Sequence, residues 1–238
     1  MTRFAHPIGV LVIAILIASL SFGAGASLRR DAGASGKASP NQHLARRMAI
    51  ESQARQGRYD TVVFGDSIVE FAAIDTFCGK RVLNAGLAGA RIEDVLSLAP
   101  SIVQTAHPAH AIVAVGINDA ARQFRTGALS FAVSYEHLMQ YLRSTGVSLQ
   151  VAMIAPIGEE IGASGGPYDA AYRSELNDKI SALAREFSLS AIPFDRLPRT
   201  DSGALAPELT TDGVHLSAEG YDEWQKTLAR HICGRPER

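Results

Sequence analysis

The sequence is short of several features that would place a chain of this length in a recognisable class. It holds only two cysteines, Cys78 and Cys233, so one disulfide pairing is possible and no cysteine cluster exists. Seven histidines are present, but no cysteine or carboxylate cluster stands beside them at ligand spacing, so no metal site is expected. His107 and His110 flank Pro108 in a connection before a strand and read as surface residues. A net charge of −1 leaves no basic footprint for nucleic acid and no acidic tail. No segment recurs at a fixed period, which sets aside solenoids and propellers. What remains, 47% hydrophobic and 20% charged over 238 residues, is ordinary for a globular protein. It allows one substantial domain with a tail, or two small domains.

The amino terminus departs from that ordinary composition. Arg3 lies in a short polar start, Ile8 to Phe22 is apolar apart from Gly9, Ser19 and Ser21, and Ala24-Gly25-Ala26 follows. That is the layout of a secretory signal peptide with a small-residue cleavage site. Extended to Ala26, the apolar run approaches the roughly 20 residues of a membrane span, so an uncleaved signal anchor attached through residues 8–26 is the rival. Arg29 and Arg30 put more positive charge after the segment than before it, against the usual orientation of such an anchor. The expectation is export, to a periplasmic or extracellular location, with residues 1–26 as signal peptide or anchor. Residues 27–57 read as a Gly/Ala/Ser-rich linker followed by a peripheral helix over Gln42–Gln56, whose apolar face (Leu44, Met48, Ile50) is thin. The domain proper is expected over 58–238.

Within that domain strand and helix patterns alternate, which argues for a parallel sheet covered on both faces. Strands are predicted at Thr61–Phe64, Arg81–Asn84, Ala111–Val115, Leu149–Ile154 and, shorter, Ala191–Phe194. The third is apolar throughout, as a doubly buried strand should be. Helices are predicted at Ile92–Thr105, Ser130–Arg143, Tyr168–Phe187 and Ala218–Ile232, with a Gly/Pro-rich loop at Pro156–Pro167.

The chemistry gathers at the ends of these strands. The first runs into Gly65-Asp66-Ser67-Ile68, a turn that projects a hydroxyl from the carboxyl edge of the sheet, where ligands of open α/β sheets bind. The second ends in Asn84-Ala85-Gly86-Leu87-Ala88-Gly89, where glycine allows a backbone N–H to face a site. The third ends in Gly116-Ile117-Asn118-Asp119, whose Asn118 can donate to an oxyanion or simply cap a helix. Near the end stands Thr211-Asp212-Gly213-Val214-His215, in which Asp212 can accept from one imidazole nitrogen and leave the other to deprotonate a serine.

These four blocks occur in the order of the SGNH (GDSL-type) hydrolases, a family that the chain resembles over roughly residues 58–233. The resemblance implies a flavodoxin-like α/β/α sandwich with a five-stranded parallel sheet, and ester hydrolysis without a cofactor. It makes Ser67 the nucleophile, His215 the base and Asp212 its orienting carboxylate. It also assigns the oxyanion donors as the N–H of Ser67, the N–H of Gly89 and the side chain of Asn118. Gly89 is preferred over Gly86 as the later glycine of its corner, and Ile68 replaces the usual Leu. The substrate would be a small-molecule, lipid or glycan ester. An O-acyltransferase using the same residues, and an inactive binding domain of the same fold, are the competing readings. In such a fold the chain after Ser67 descends to the far edge of the sheet, and so does the last helix. Cys78 and Cys233 are therefore expected to meet there as a disulfide, with two free thiols as the alternative.

Overall fold

The computed structural model of the protein describes residues 40–233; the segment read as a signal peptide or anchor, and the linker after it, lie outside the described residues. In chain order the elements are α1 (Pro40–Gln56), β1 (Thr61–Gly65), α2 (Ser67–Glu70), β2 (Thr76–Phe77), β3 (Lys80–Gly86), α3 (Ile92–Ala106), β4 (His110–Ala114), α4 (Ala128–Ser144), β5 (Ser148–Val151), α5 (Glu159–Gly162), α6 (Ala170–Glu186) and α7 (Ala218–Ile232). The sheet order is β2-β3-β1-β4-β5. β3, β1, β4 and β5 run parallel, and the two-residue β2 pairs antiparallel with β3 at the edge. This is the α/β/α architecture of the SGNH hydrolases, with a mostly parallel rather than wholly parallel sheet.

The central strands are apolar because helices cover both faces and leave no solvent side to alternate toward. Val62, Val63, Phe64, Ile112 and Val113 are all buried, as are Val95, Leu98 and Ile102 of α3 and Phe131, Tyr135 and Leu138 of α4. α4 packs between α3 and α6. Ala191–Phe194, expected as a fifth parallel strand, joins the sheet only through a single parallel bridge between Ala152 and Ile192. Pro193 has no N–H to extend that ladder, and the chain turns at once into a short 3₁₀ helix, Phe194–Arg196. The Phe194 ring instead stacks on Trp224 of α7, with centroids 4.8 Å apart.

Two elements differ from the expected domain plan or complete it. α1 is not set apart from the domain by a boundary near Arg58, for it packs on α3 and β3 within the same compact unit. Ile50 and Ala54 are buried while Leu44 and Met48 are exposed, so its apolar contact is even narrower than its sequence suggests. Polar contacts supply the rest: Arg46 donates through Nε to the Gly86 carbonyl (2.9 Å) and through Nη2 to the Asn84 carbonyl (3.0 Å). At the far edge of the sheet Cys78, in the β2–β3 turn, is disulfide-bonded to Cys233 just past α7, with Cα atoms 5.6 Å apart. Among the described residues no helix is long and apolar enough to cross a membrane.

Candidate active site

The register of the sheet brings the three corners together. Gly65, the last residue of β1, is the partner of both Gly86 in β3 and Ala114 in β4. The three strands therefore end level, and the loops carrying Ser67, Gly89 and Asn118 leave from one line at the carboxyl edge. This is the crevice where the strand order reverses on either side of β1. Ser67 is the first residue of α2 and is buried to 6% exposure. Asp66 caps that helix, its Oδ1 accepting from the Ile68 N–H at 2.9 Å.

His215 reaches this point from the other end of the chain. Its Nε2 lies 2.9 Å from Ser67 Oγ, and its Nδ1 lies 2.6 Å from Asp212 Oδ2. The second oxygen of Asp212 accepts from the N–H groups of Val214 (2.9 Å) and His215 (2.8 Å), so the turn fixes the carboxylate before it meets the ring. Burial pushes the Asp212 carboxyl up, but these bonds from the His215 ring and the two N–H groups outweigh it and hold the group below the usual carboxylate range. Since a carboxylate only accepts, Nδ1 carries the proton and Nε2 is left to accept from the serine hydroxyl. The turn itself is braced by Thr210, whose Oγ1 donates to the His215 carbonyl at 2.8 Å. Ser217 then caps α7, and Tyr221 of that helix donates its hydroxyl to the Ile68 carbonyl at 2.9 Å, tying α7 to α2.

Gly86 and Gly89 differ in how the backbone donors around the second corner are paired. Gly86 N–H is taken by Asn84 Oδ1, Leu87 N–H by the Gly65 carbonyl, and Ala88 N–H by Glu70 Oε2. Ala90 N–H goes to the Leu87 carbonyl and Arg91 N–H to Asp94 Oδ2. Within Gly86–Arg91 only the Gly89 N–H is left without a partner among the described residues, and an unpaired amide at a site edge is free to meet a ligand. The two glycines serve different ends. A Cβ on Gly86 would stand 2.1 Å from the Glu70 backbone nitrogen, so that residue lets α2 sit against β3. Gly89 instead has φ +77°, the left-handed turn that aims its peptide.

Asn118 is buried, and its Nδ2 donates to the Ala90 carbonyl at 3.0 Å. The bond orients the amide and uses one of its two N–H groups, leaving the second. Beneath the site lie two carboxyls, Asp66 and Asp119, exposed by only 2% and 6%. Burial drives each up to about 7, against opposing hydrogen bonds from the Ile68 N–H to Asp66 and the Ile92 N–H to Asp119. Asp119 thereby ties the start of α3 to the Asn118 corner, a role that its position beside Asn118 did not reveal.

Beside the pair stands Phe71, more than half exposed, its ring centroid 5.5 Å from that of His215. Nothing in its sequence context marks it, because it follows the first turn of a helix only four residues long. His107 and His110 end α3 and open β4 at the opposite, amino-terminal edge of the sheet. Among the described residues no group of three or more His, Cys, Asp or Glu side chains could hold a metal ion.

A mostly parallel α/β/α domain with a serine, an imidazole and a carboxylate in hydrogen-bonded series is an arrangement that acyl hydrolases use. The chain belongs to the GDSL-like lipase/acylhydrolase family, whose model matches residues 19–223. No curated protein matches it. Solved structures that resemble it include a GDSL-like lipase from Bacteroides thetaiotaomicron, 18% identical over 79% of this chain and 95% of that one, with a TM-score of 0.68. The lipase/acylhydrolase from Enterococcus faecalis is 20% identical over 75% of this chain and 98% of its own, with a TM-score of 0.60. An acetyl xylan esterase is 21% identical over 72% of this chain and 98% of its own, with a TM-score of 0.59. At such identities these likenesses carry the fold, while the family match makes the protein a hydrolase of the GDSL type.

Proposed function

We propose that the protein is an exported serine esterase that cleaves acyl or acetyl esters of small molecules, lipids or glycans through Ser67, His215 and Asp212. The observation that carries this reading is the series Ser67 Oγ–His215 Nε2–Nδ1–Asp212 Oδ2, at 2.9 and 2.6 Å. A serine hydroxyl is a weak nucleophile until an adjacent imidazole removes its proton. As Ser67 Oγ attacks the ester carbonyl, its proton passes to His215 Nε2. The imidazolium so formed is stabilised by Asp212, which stays ionised because its turn holds it in the carboxylate form. The carbonyl oxygen becomes an oxyanion facing the N–H groups of Ser67 and Gly89 and the free N–H of Asn118. His215 then returns the proton to the departing alkoxide, which leaves as the alcohol. A water molecule, deprotonated by the same nitrogen, releases the acid and restores Ser67.

The side chains of Asp212 and His215 are 53% and 33% exposed, which gives water access to the base that activates it. The acetyl xylan esterase among the structural neighbours supports including acetylated glycans in the substrate range. Export is supported by the signal-like amino terminus together with the Cys78–Cys233 bond, of a kind that persists in oxidising compartments. The test is labelling with a fluorophosphonate, followed by an ester panel graded by acyl length. Wild-type protein should be labelled and should turn over at least one member, and Ser67→Ala should do neither. Turnover by Ser67→Ala at the wild-type rate would refute the assignment.

A further inference from the structure

We propose that His43, on the amino-terminal helix α1, is a positioning residue of the oxyanion site: it holds and polarises the Ala88–Gly89 peptide group. The inference rests on the esterase reading above and concerns a residue forty-six positions before the donor it serves. His43 Nε2 lies 2.5 Å from the Ala88 carbonyl oxygen. A carbonyl oxygen can only accept, so Nε2 is the protonated, donating nitrogen. The Ala88 carbonyl and the Gly89 N–H belong to the same peptide plane. No peptide bond among the described residues is cis, so that N–H leaves the plane on the side opposite the oxygen. The bond from His43 therefore fixes the rotation of the plane that carries the free Gly89 N–H. It also draws electron density toward the oxygen, which makes the N–H a stronger donor, as in any chain of coupled hydrogen bonds.

The rest of the loop is braced in a way that leaves this plane dependent on His43. The preceding peptide is held by Glu70, whose Oε2 accepts from the Ala88 N–H at 2.6 Å. The start of the corner is held by Arg46, one turn along α1, through the Gly86 and Asn84 carbonyls. Arg46 and Glu70 approach each other to 3.8 Å. Gly89 itself has φ +77° and lacks a side chain, and a Cβ built there would meet only His43 Nε2, at 3.6 Å. A glycine in open space has no steric reason to keep one orientation. The imidazole supplies that reason, so α1 acts as an arm of the site rather than as outer packing.

The experiment compares His43→Leu, which removes the donor, with His43→Gln, whose amide can still donate to the carbonyl. Loss of a whole oxyanion donor costs about 10²–10³ in kcat, so weakening one should lower kcat about tenfold in His43→Leu, with KM within about twofold. His43→Gln should recover most of that loss. The rate of fluorophosphonate labelling should fall with kcat, since the adduct's oxygen sits where the oxyanion does. If His43→Leu folds poorly, as judged by its Tm, His43→Ala takes its place in the comparison. Wild-type kcat in the donorless variant, or equal loss in the Gln and Leu variants, would overturn the positioning role while leaving the esterase reading intact. Wild-type protein that neither reacts with the phosphonate nor cleaves any ester would remove both.

Discussion

In the proposed mechanism Asn118 serves the fold and the site with one amide. One N–H holds the Ala90 carbonyl, which keeps the Gly89 turn at a set distance from the third corner. The other is the oxyanion donor of the proposed mechanism. Asn118→Asp keeps the side-chain size but withdraws both donors, the one held by the Ala90 carbonyl included. It should lower kcat by about 10²–10³ with little change in KM, because the lost bond forms chiefly in the transition state. Steady-state kinetics decide the matter, and a loss confined to KM or to Tm would assign Asn118 to the fold alone. Phe71 should act on the other quantity. Its exposed ring lies beside His215, the residue that hands a proton to the departing alkoxide in the proposed mechanism, so it can offer apolar contact to that part of the ester. Phe71→Ala should raise KM severalfold for esters of bulky or aromatic alcohols, at nearly constant kcat, because contact made equally in ground and transition states is uniform binding. An unchanged KM across a series of alcohols would show that the ring touches none of them.

The elements that carry the site are short or terminal, and each is tied down by a contact distant in sequence. α2 is four residues long and would not persist alone. Tyr221 from α7 and Asn84 from β3 fasten it, the latter donating to the Val69 and Ala72 carbonyls at 2.7 and 3.0 Å. α7 is anchored at its far end by the disulfide, which spans 155 residues of sequence. In the chain-entropy model a loop of that length gains about 5 kcal/mol, an upper figure that native-state strain reduces. Cys78→Ser combined with Cys233→Ser should therefore lower Tm by several degrees. It should leave kcat nearly unchanged at temperatures where the variant is folded, since Ser217, Tyr221 and Trp224 still seat the start of the helix. Thermal unfolding with and without reductant measures the first, and an ester assay well below Tm the second. A Tm equal to that of wild type would mean the bond adds no stability.

At the scale of the whole molecule, two buried carboxyls give the fold a pH dependence of unusual sign. Asp66 and Asp119 stand at about 7 in the folded protein against an ordinary 3.8. Between those values the folded state binds more protons than the unfolded state, so the stability they contribute is full below about pH 4 and is lost as pH rises through 7. Asp212 works the other way. Its folded value is depressed, so its contribution is present above 3.8 and is lost only in stronger acid, outside this window. Tm should therefore fall between pH 5 and 8 by more than surface titration accounts for. Asp66→Asn, which preserves the helix cap, should flatten part of that slope. Calorimetric scans across the range provide the check, and parallel wild-type and variant curves would refute the assignment.

Much of this molecule could be read from local pattern. The continuous apolar runs at Thr61–Phe64 and Ala111–Val115 declare buried parallel strands, because a strand covered on both faces has no position at which a polar residue is favoured. α7 begins and ends where its pattern says, Ala218–Ile232, since Ser217 is a cap and the apolar stripe of Trp224 and Leu228 follows it. The blocks around Ser67, Gly89 and Asn118 stood out as polar or glycine-rich corners at strand ends, and that around His215 as an Asp and a His three residues apart just before a helix. Other features were decided only in three dimensions. Pro193 and the crossing of Phe194 onto Trp224 reduced an expected strand to one bridge, because edge pairing depends on what else competes for the side chains. The role of α1 was hidden because His43 and Arg46 bind backbone carbonyls, and a carbonyl is the same at every residue and leaves no mark in a sequence. The unpaired Gly89 N–H was hidden for the same reason: it is defined by where every neighbouring amide goes, and those partners come from α2, α3, β1, β3 and the corner itself.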